Sequence, residues 1–276
     1  MPAPLLETRQ AELEQCVAAL LGGQSLLVLG EPGAGKTTLG QAVAERLEAE
    51  GYTVAIASYG GSTKETLTTI ADGLGVDTVT DGDRPKPLTA QQLRDALLTR
   101  MRQPRTILIA DDAQRWSASL RYWLEDIQRA GGLLLLLAYA PQPKDIFVKL
   151  PSLSLRPLSD EEVRSVMRDE AIAHAAYLDS RDIAELAQKT GNNPALARRI
   201  VRETVLGISD LETTEHYQYI DGTPFFAAAI ALISTVRFIG LGMGDRVVYV
   251  LGGVMTLIGL TLRAILYAAN RGRRRL

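Results

Sequence analysis

The chain has one cysteine, Cys16, among 276 residues, so it cannot form an intrachain disulfide, and nothing points to an oxidising compartment. Cys16 lies on the apolar side of a helical pattern, which predicts a buried small hydrophobe rather than a reactive thiol. Histidine is scarce too. His174 and His216 lie far apart, with no cysteine or acid at ligand spacing, which argues against a metal site of that kind. The opening MPAPLLETRQAELEQ lacks the basic start and apolar run of a secretory signal, so the body is expected to stay in the cytosol. Acid and base are unevenly distributed. Residues 1–223 carry 23 Lys/Arg against 31 Asp/Glu, a net of −8, whereas residues 224–276 carry seven Arg against one acid, a net of +6. An acidic body disfavours broad nucleic-acid binding, and the basic tail needs its own explanation.

The patterning is that of an α/β protein. Residues 5–22 read as an amphipathic helix with Leu6, Leu13, Val17, Leu20 and Leu21 near helical spacing, stopped by Gly22-Gly23. Ser25 to Leu29 is too short and too apolar for anything but a buried strand. A helix from Lys36 to about Glu50, a strand at 53–58 and a helix at 63–74 follow. Residues 77–89, rich in Asp, Gly and Pro, read as a surface loop. Next come a helix at 90–102, a strand at 106–110, a helix at about 117–130 and a fourth strand at 133–138. This order predicts a mainly parallel sheet sandwiched by helices. Three short helices at 159–170, 180–190 and 193–206 then form a small all-helical unit, with Ser159 and Glu162 as a capping box.

The end of the chain has another texture. Residues 207–223 are polar and read as a linker. Pro224 to Gly244 and Val247 to Ala269 each contain one charge, Arg237 and Arg263, and each is about the ~20 residues needed to cross a bilayer. Together, residues 224–270 are expected to form a two-helix transmembrane hairpin, its small residues allowing close helix approach. Four arginines within Arg271–Leu276 fix that end in the cytoplasm, and two spans then return residue 223 to the same side. The expected location is the cytoplasmic face of a cell membrane, with lipid as one partner and both termini in the cytoplasm.

The chemistry lies in two motifs. GEPGAGKT at 30–37 fits G-x-x-x-x-G-K-[ST] between a strand and a helix, the context in which such a loop wraps phosphates. Gly30, Glu31, Pro32, Gly33, Ala34 and Gly35 form the cradle, with Gly33 and Gly35 allowing close backbone approach. Lys36 reaches the outer phosphates, the Thr37 hydroxyl ligates Mg²⁺, and Thr38 is placed toward an inner phosphate. ILIADDAQ at 107–114 is an apolar strand that delivers Asp111, a second Mg²⁺ ligand through water, and Asp112, which faces the attacking water. The nucleotide is expected to be ATP, because no N/T-K-x-D element for guanine follows the loop.

The P-loop, the ILIADDAQ strand and the trailing helices resemble the AAA+ ATPases, in particular the branch with the ExeA-like secretion ATPases and the TniB-like transposition ATPases. That branch reads DEAQ or DEAH where this chain has Asp111-Asp112-Ala113-Gln114. The resemblance covers roughly residues 5–206. It implies a P-loop NTPase domain at 1–156 and a helical lid at 157–206; composition adds the linker at 207–223, the hairpin at 224–270 and a basic tail at 271–276. It further implies an adenine pocket shared with the helix before the P-loop, where Arg9 takes the position of a common arginine. In the lid segment TGNNPALARRI, Arg198 or Arg199 would approach the γ-phosphate, with Arg198 favoured.

Three departures from that family stand out. Asp112 replaces a glutamate that is one methylene longer. The fourth strand ends in Ala138-Tyr139, where a small polar sensor is usual. No arginine occupies the usual finger region before residue 151, leaving Lys144, Lys149, Arg115 and Arg121 as candidates to act on a neighbouring subunit. The implied protein is a membrane-anchored ATPase and homo-oligomer, ring or filament, with an unidentified protein partner. Its rivals are an assembly switch that binds ATP without hydrolysis and a membrane-tethered DNA-handling ATPase. Trp116, Tyr122 and Trp123 read as a core or subunit contact rather than a base-stacking platform.

Overall fold

The computed structural model describes residues 8–81, 84–139 and 145–208, all within the first of the two units into which the chain divides, Met1–His216 and Tyr217–Leu276. The expected hairpin, most of the linker, the basic tail, Lys144 and His216 lie outside the described residues. Among the described residues, no helix is long and apolar enough to cross a membrane.

The sheet is parallel throughout, in the order β2-β3-β4-β1-β5. Its strands are β1 (Leu26–Leu29), β2 (Thr53–Ala57), β3 (Thr106–Ala110), β4 (Leu133–Ala138) and β5 (Ser152–Ser154). The central strands alternate between two cores. Leu108, Ala110, Leu134 and Leu136 face one side, packed with Leu67, Ile70, Leu97 and Leu124 of α3 (Thr63–Leu74), α4 (Ala90–Met101) and α5 (Ala118–Arg129). Ile107, Ile109, Leu135 and Leu137 face the other, against Cys16 and Leu20 of α1 (Gln10–Leu21) and Leu39 and Val43 of α2 (Lys36–Ala49). Burial on both faces explains why these strands read as unbroken apolar runs. Cys16 is fully buried, and desolvation pushes its thiol up to about 12, so it packs as a hydrophobe.

Two expectations are corrected. The sequence pattern predicted four strands, but β5 adds a fifth at the sheet edge, pairing Leu27 with Ser152 and Leu29 with Ser154. It is three residues long with exposed serines, so it carried no hydrophobic run to detect. Leu21 is 44% exposed rather than part of the α1 face, where Glu12 is buried instead. A short α6 (Ile146–Lys149) precedes β5.

The helical unit comprises α7 (Asp160–Ala173), α8 (Ser180–Ala187) and α9 (Pro194–Val205) around Leu158, Val163, Met167, Ile183, Ala197 and Val201. The Ser159–Glu162 capping box forms, and Arg156 grips the same carboxylate with two bonds of 2.6 and 2.7 Å. The Arg156 hydrogen bond is the largest influence holding the Glu162 carboxyl at about 2. A carboxyl depressed in the folded state stabilises it above the unfolded value of 4.5 and loses that stabilisation as pH falls toward about 2. Thermal unfolding should therefore show Glu162→Gln to be destabilised by on the order of 1 kcal/mol at neutral pH. The difference should close across that acidic window; a difference that does not change with pH would rule out the ionic role.

Candidate active site

β1 ends beneath the loop 30–35, and α2 begins immediately after it. Gly33 and Gly35 hold φ values of 81° and 93°, the left-handed region that a side chain would strain. These angles turn the loop so that the α2 N-terminus opens toward it, the arrangement that attracts phosphate. Lys36 is 7% exposed, and its Nζ donates to the carbonyls of Gly30 at 2.8 Å and Glu31 at 2.9 Å. Desolvation lowers its pKa, while the charges of Asp112 and Asp111 oppose that shift. The ammonium is thus held inside the cradle by groups that a phosphate can replace as acceptors.

β3 carries Asp111 to the carboxyl edge of the sheet, beside the P-loop. The Thr37 hydroxyl donates to Asp111 Oδ2 at 2.8 Å across 74 residues of sequence. The other Asp111 oxygen accepts the Asp112 amide at 2.9 Å, and its carbonyl takes the Trp116 indole N–H at 3.0 Å. Asp111 is therefore fixed at three points. One hydroxyl and one carboxylate suit Mg²⁺, which takes few protein ligands and keeps water and substrate phosphates. Thr37 and Asp111 fit that role, and the ion would neutralise phosphate charge there. Asp112 sits at φ 47°, a left-handed conformation that aspartate tolerates better than most residues. Its carboxylate accepts from Gln114 Nε2 at 3.2 Å and lies 3.7 Å from the exposed Arg115 guanidinium.

The helical unit closes over the loop. Asn193, the N-cap of α9, accepts the Ala195 and Leu196 amides and donates to the Pro32 carbonyl at 2.8 Å. The Ala195 amide donates to the Gly33 carbonyl at 3.3 Å, and a Cβ on Gly33 would stand 2.6 Å from that of Ala195. A cleft of about 360 Å³ is lined by Lys36, Thr37, Thr38, Asp112 and Arg198 among others. On the far side of the loop a second cavity, about 260 Å³, is lined by Arg9, Gly30, Glu31, Ala34, Tyr139 and Asn193 among others. Arg9 is 1% exposed; it donates to Glu12 and Ala34, and its Nε is buried without a hydrogen-bond partner. One cavity has the charges to hold phosphates. The other is a largely apolar recess with an arginine at its wall, suited to a base.

The residues assigned to nucleotide from the sequence line one or the other of these two cavities, and Asp111, assigned to the metal, lines neither but bonds to Thr37 at the phosphate cleft. Of the two lid arginines, Arg198 lines the phosphate cleft, whereas Arg199 extends along α9 to Glu203 at 2.6 Å. Arg121 is corrected as a finger candidate: it is 8% exposed and bound to Asp145 at 3.0 Å and to the Trp116 carbonyl, which makes it structural. Lys149 pairs with Glu125. Trp116 and Trp123 are buried in the core, and Tyr122 is exposed. Sequence reasoning missed Asn193 and Gln114. Asn193 had a signal, since Asn-Pro before a helical run marks an N-cap.

No curated protein matches the chain. The fold is that of a solved DNA replication initiation factor (16% identity, covering 84% of this chain and 70% of that one, TM-score 0.53). It is also that of a replication initiator DnaA bound to AMPPCP and single-stranded DNA (16% identity, 84% and 69%, TM-score 0.50). The Thermotoga maritima RuvB Holliday junction branch migration motor aligns at 18% identity and TM-score 0.48 over 73% of this chain, which spans 63% of that protein's length. Residues 20–147, from the end of α1 into α6 and just under half of the chain, match the family model described as AAA domain.

Proposed function

We propose that the protein is a membrane-anchored AAA+ ATPase of the ExeA-like or TniB-like branch. It binds ATP with Mg²⁺, hydrolyses it, and couples nucleotide state to homo-oligomer assembly or to movement of a C-terminal membrane hairpin. The observation that carries the catalytic part is the 2.8 Å bond between Thr37 and Asp111, which joins the two Mg²⁺-ligand candidates at the phosphate loop. In this reading Lys36, the loop amides and Arg198 hold and neutralise the phosphates. Asp112 orients the attacking water and accepts its proton as the bond to the γ-phosphorus forms and that from the γ-phosphorus to the β,γ-bridging oxygen breaks, releasing ADP. Arg9 and the recess beside it take the adenine. The lid at 157–206 then responds to nucleotide through Asn193 and Ala195, which touch the loop directly.

Magnesium-dependent phosphate release by the purified chain, lost on chelation, is the test. ATP binding without turnover would favour the assembly switch, a reading supported by the short Asp112 side chain. Salt-sensitive DNA binding would favour the DNA-handling alternative, which the net charge of −8 on residues 1–223 disfavours.

Membrane anchoring rests on residues 224–270. Two spans of about 20 mostly apolar residues transfer far more apolar surface to lipid than the roughly 2.5–3.5 kcal/mol that each central arginine costs. The full chain is therefore expected to sediment with membranes and to resist high salt and alkaline carbonate, whereas a chain ending at Asp221 stays in the supernatant without detergent. Release of the full chain by salt would point to RGRRRL on anionic headgroups and would remove the hairpin.

A further inference from the structure

We infer that Gln114 is a positioning residue for Asp112, replacing through its side-chain amide the polar sensor that the end of β4 lacks; this rests on the ATPase reading above. β4 ends at Ala138 and is followed by Tyr139, neither of which offers a small polar side chain to the phosphate cleft. The strand end offers a backbone amide instead. The Tyr139 N–H donates to Gln114 Oε1 at 3.2 Å, and Gln114 Nε2 donates to Asp112 Oδ1 at 3.2 Å. A backbone N–H can only donate and an ionised carboxylate can only accept, so the two partners fix which way the amide faces.

Gln114 therefore ties the terminus of β4 to the carboxylate assigned to the attacking water. It sits on the single 3-10 turn Ala113–Arg115, entered through the left-handed Asp112. Without the amide, the partners left to the Asp112 carboxylate are solvent and Arg115, whose side chain is 71% exposed and 3.7 Å away. An exposed pair at that distance orients little. The tether also gives the β4 end a means of sensing the cleft, because a shift of Asp112 pulls on the Tyr139 amide just beyond the strand.

Two variants of the full chain separate positioning from support. Gln114→Glu is isosteric and retains an acceptor for the Tyr139 amide, but it replaces the donor facing Asp112 with a like charge. Gln114→Ala removes both bonds. Both are expected to lower kcat for ATP by roughly 10- to 100-fold, the cost of a misplaced reacting group, with ATP affinity and melting temperature unchanged for Gln114→Glu. Parent-like turnover in Gln114→Glu would show that the residue only supports the strand end and would overturn the inference, while the ATPase reading stood. An inactive parent would defeat the ATPase reading and this inference with it. Should Gln114→Ala fail to fold, the isosteric variant decides alone.

Discussion

Replacing Lys36 with alanine is expected to cut ATP affinity by roughly ten- to a hundredfold or more while leaving the sheet intact. A hydrogen bond to a charged group is worth about 1.5–3 kcal/mol, and each 1.4 kcal/mol is about tenfold in affinity. Lys36 contributes charge rather than packing. Its ammonium rests on two loop carbonyls, Gly30 and Glu31, and its first helical turn is held by the Leu39 amide bonding to the Gly35 carbonyl. Alanine keeps that helix start and is the best helix former. Removing the lysine also frees a site where burial had lowered its pKa, so the variant has no cause to unfold. Binding of a fluorescent ATP analogue, beside a thermal melt of the same sample, checks both halves. Unchanged affinity in a folded Lys36→Ala protein would remove the P-loop from nucleotide binding.

The sequence carried this much because local rules and global fold coincide where the chain is buried. β3 and β4 are covered on both faces, so Ile107–Ala110 and Leu133–Ala138 had to be apolar throughout, and apolar runs that short read as strands. The P-loop was legible for a related reason: its glycines are needed at particular backbone angles, and 81° and 93° at Gly33 and Gly35 supply them. Elements held mainly by tertiary contacts were not legible. β5 exists because Leu27 and Leu155 find partners across the edge of the sheet, with bonds from Leu27 N to the Pro151 carbonyl and from Leu155 N to that of Leu29. Nothing in Ser-Leu-Ser announces that. The same holds for Arg121, which in sequence is a cation near the acidic pair and in three dimensions is a buried strut to Asp145.

Within the candidate site, sequence spacing singled out residues but not the contacts that tie them to the rest of the fold. Asp112 could be assigned by its place after a strand, whereas its partner Gln114 became visible only once the turn folded back on β4. Asn193 likewise belongs to a helix 161 residues from Pro32, the carbonyl it holds. Both contacts join an element of the candidate site to a segment distant in sequence. Both run through a single side-chain amide, and the helical unit adds the Ala195 amide donating to the Gly33 carbonyl.

Asp112→Asn is expected to lower turnover by about 100-fold or more while ATP and Mg²⁺ still bind, the scale of losing a general base. Asparagine suits this test better than alanine. It tolerates the left-handed backbone at φ 47°, and its side-chain oxygen can still accept the Gln114 amide, so the turn and the tether to β4 persist. Only the charge and the proton acceptor are lost. Asp112→Glu is a different experiment. The longer chain would move the carboxylate toward the γ-phosphate, but glutamate accepts a left-handed backbone less readily and must find a new distance to Gln114. If reach limits the parent, Asp112→Glu turns over faster despite that strain; if the backbone limits it, the variant is slower and less stable. Parent-like turnover in Asp112→Asn would assign Asp112 to the turn alone and send the search for the base elsewhere in the cleft.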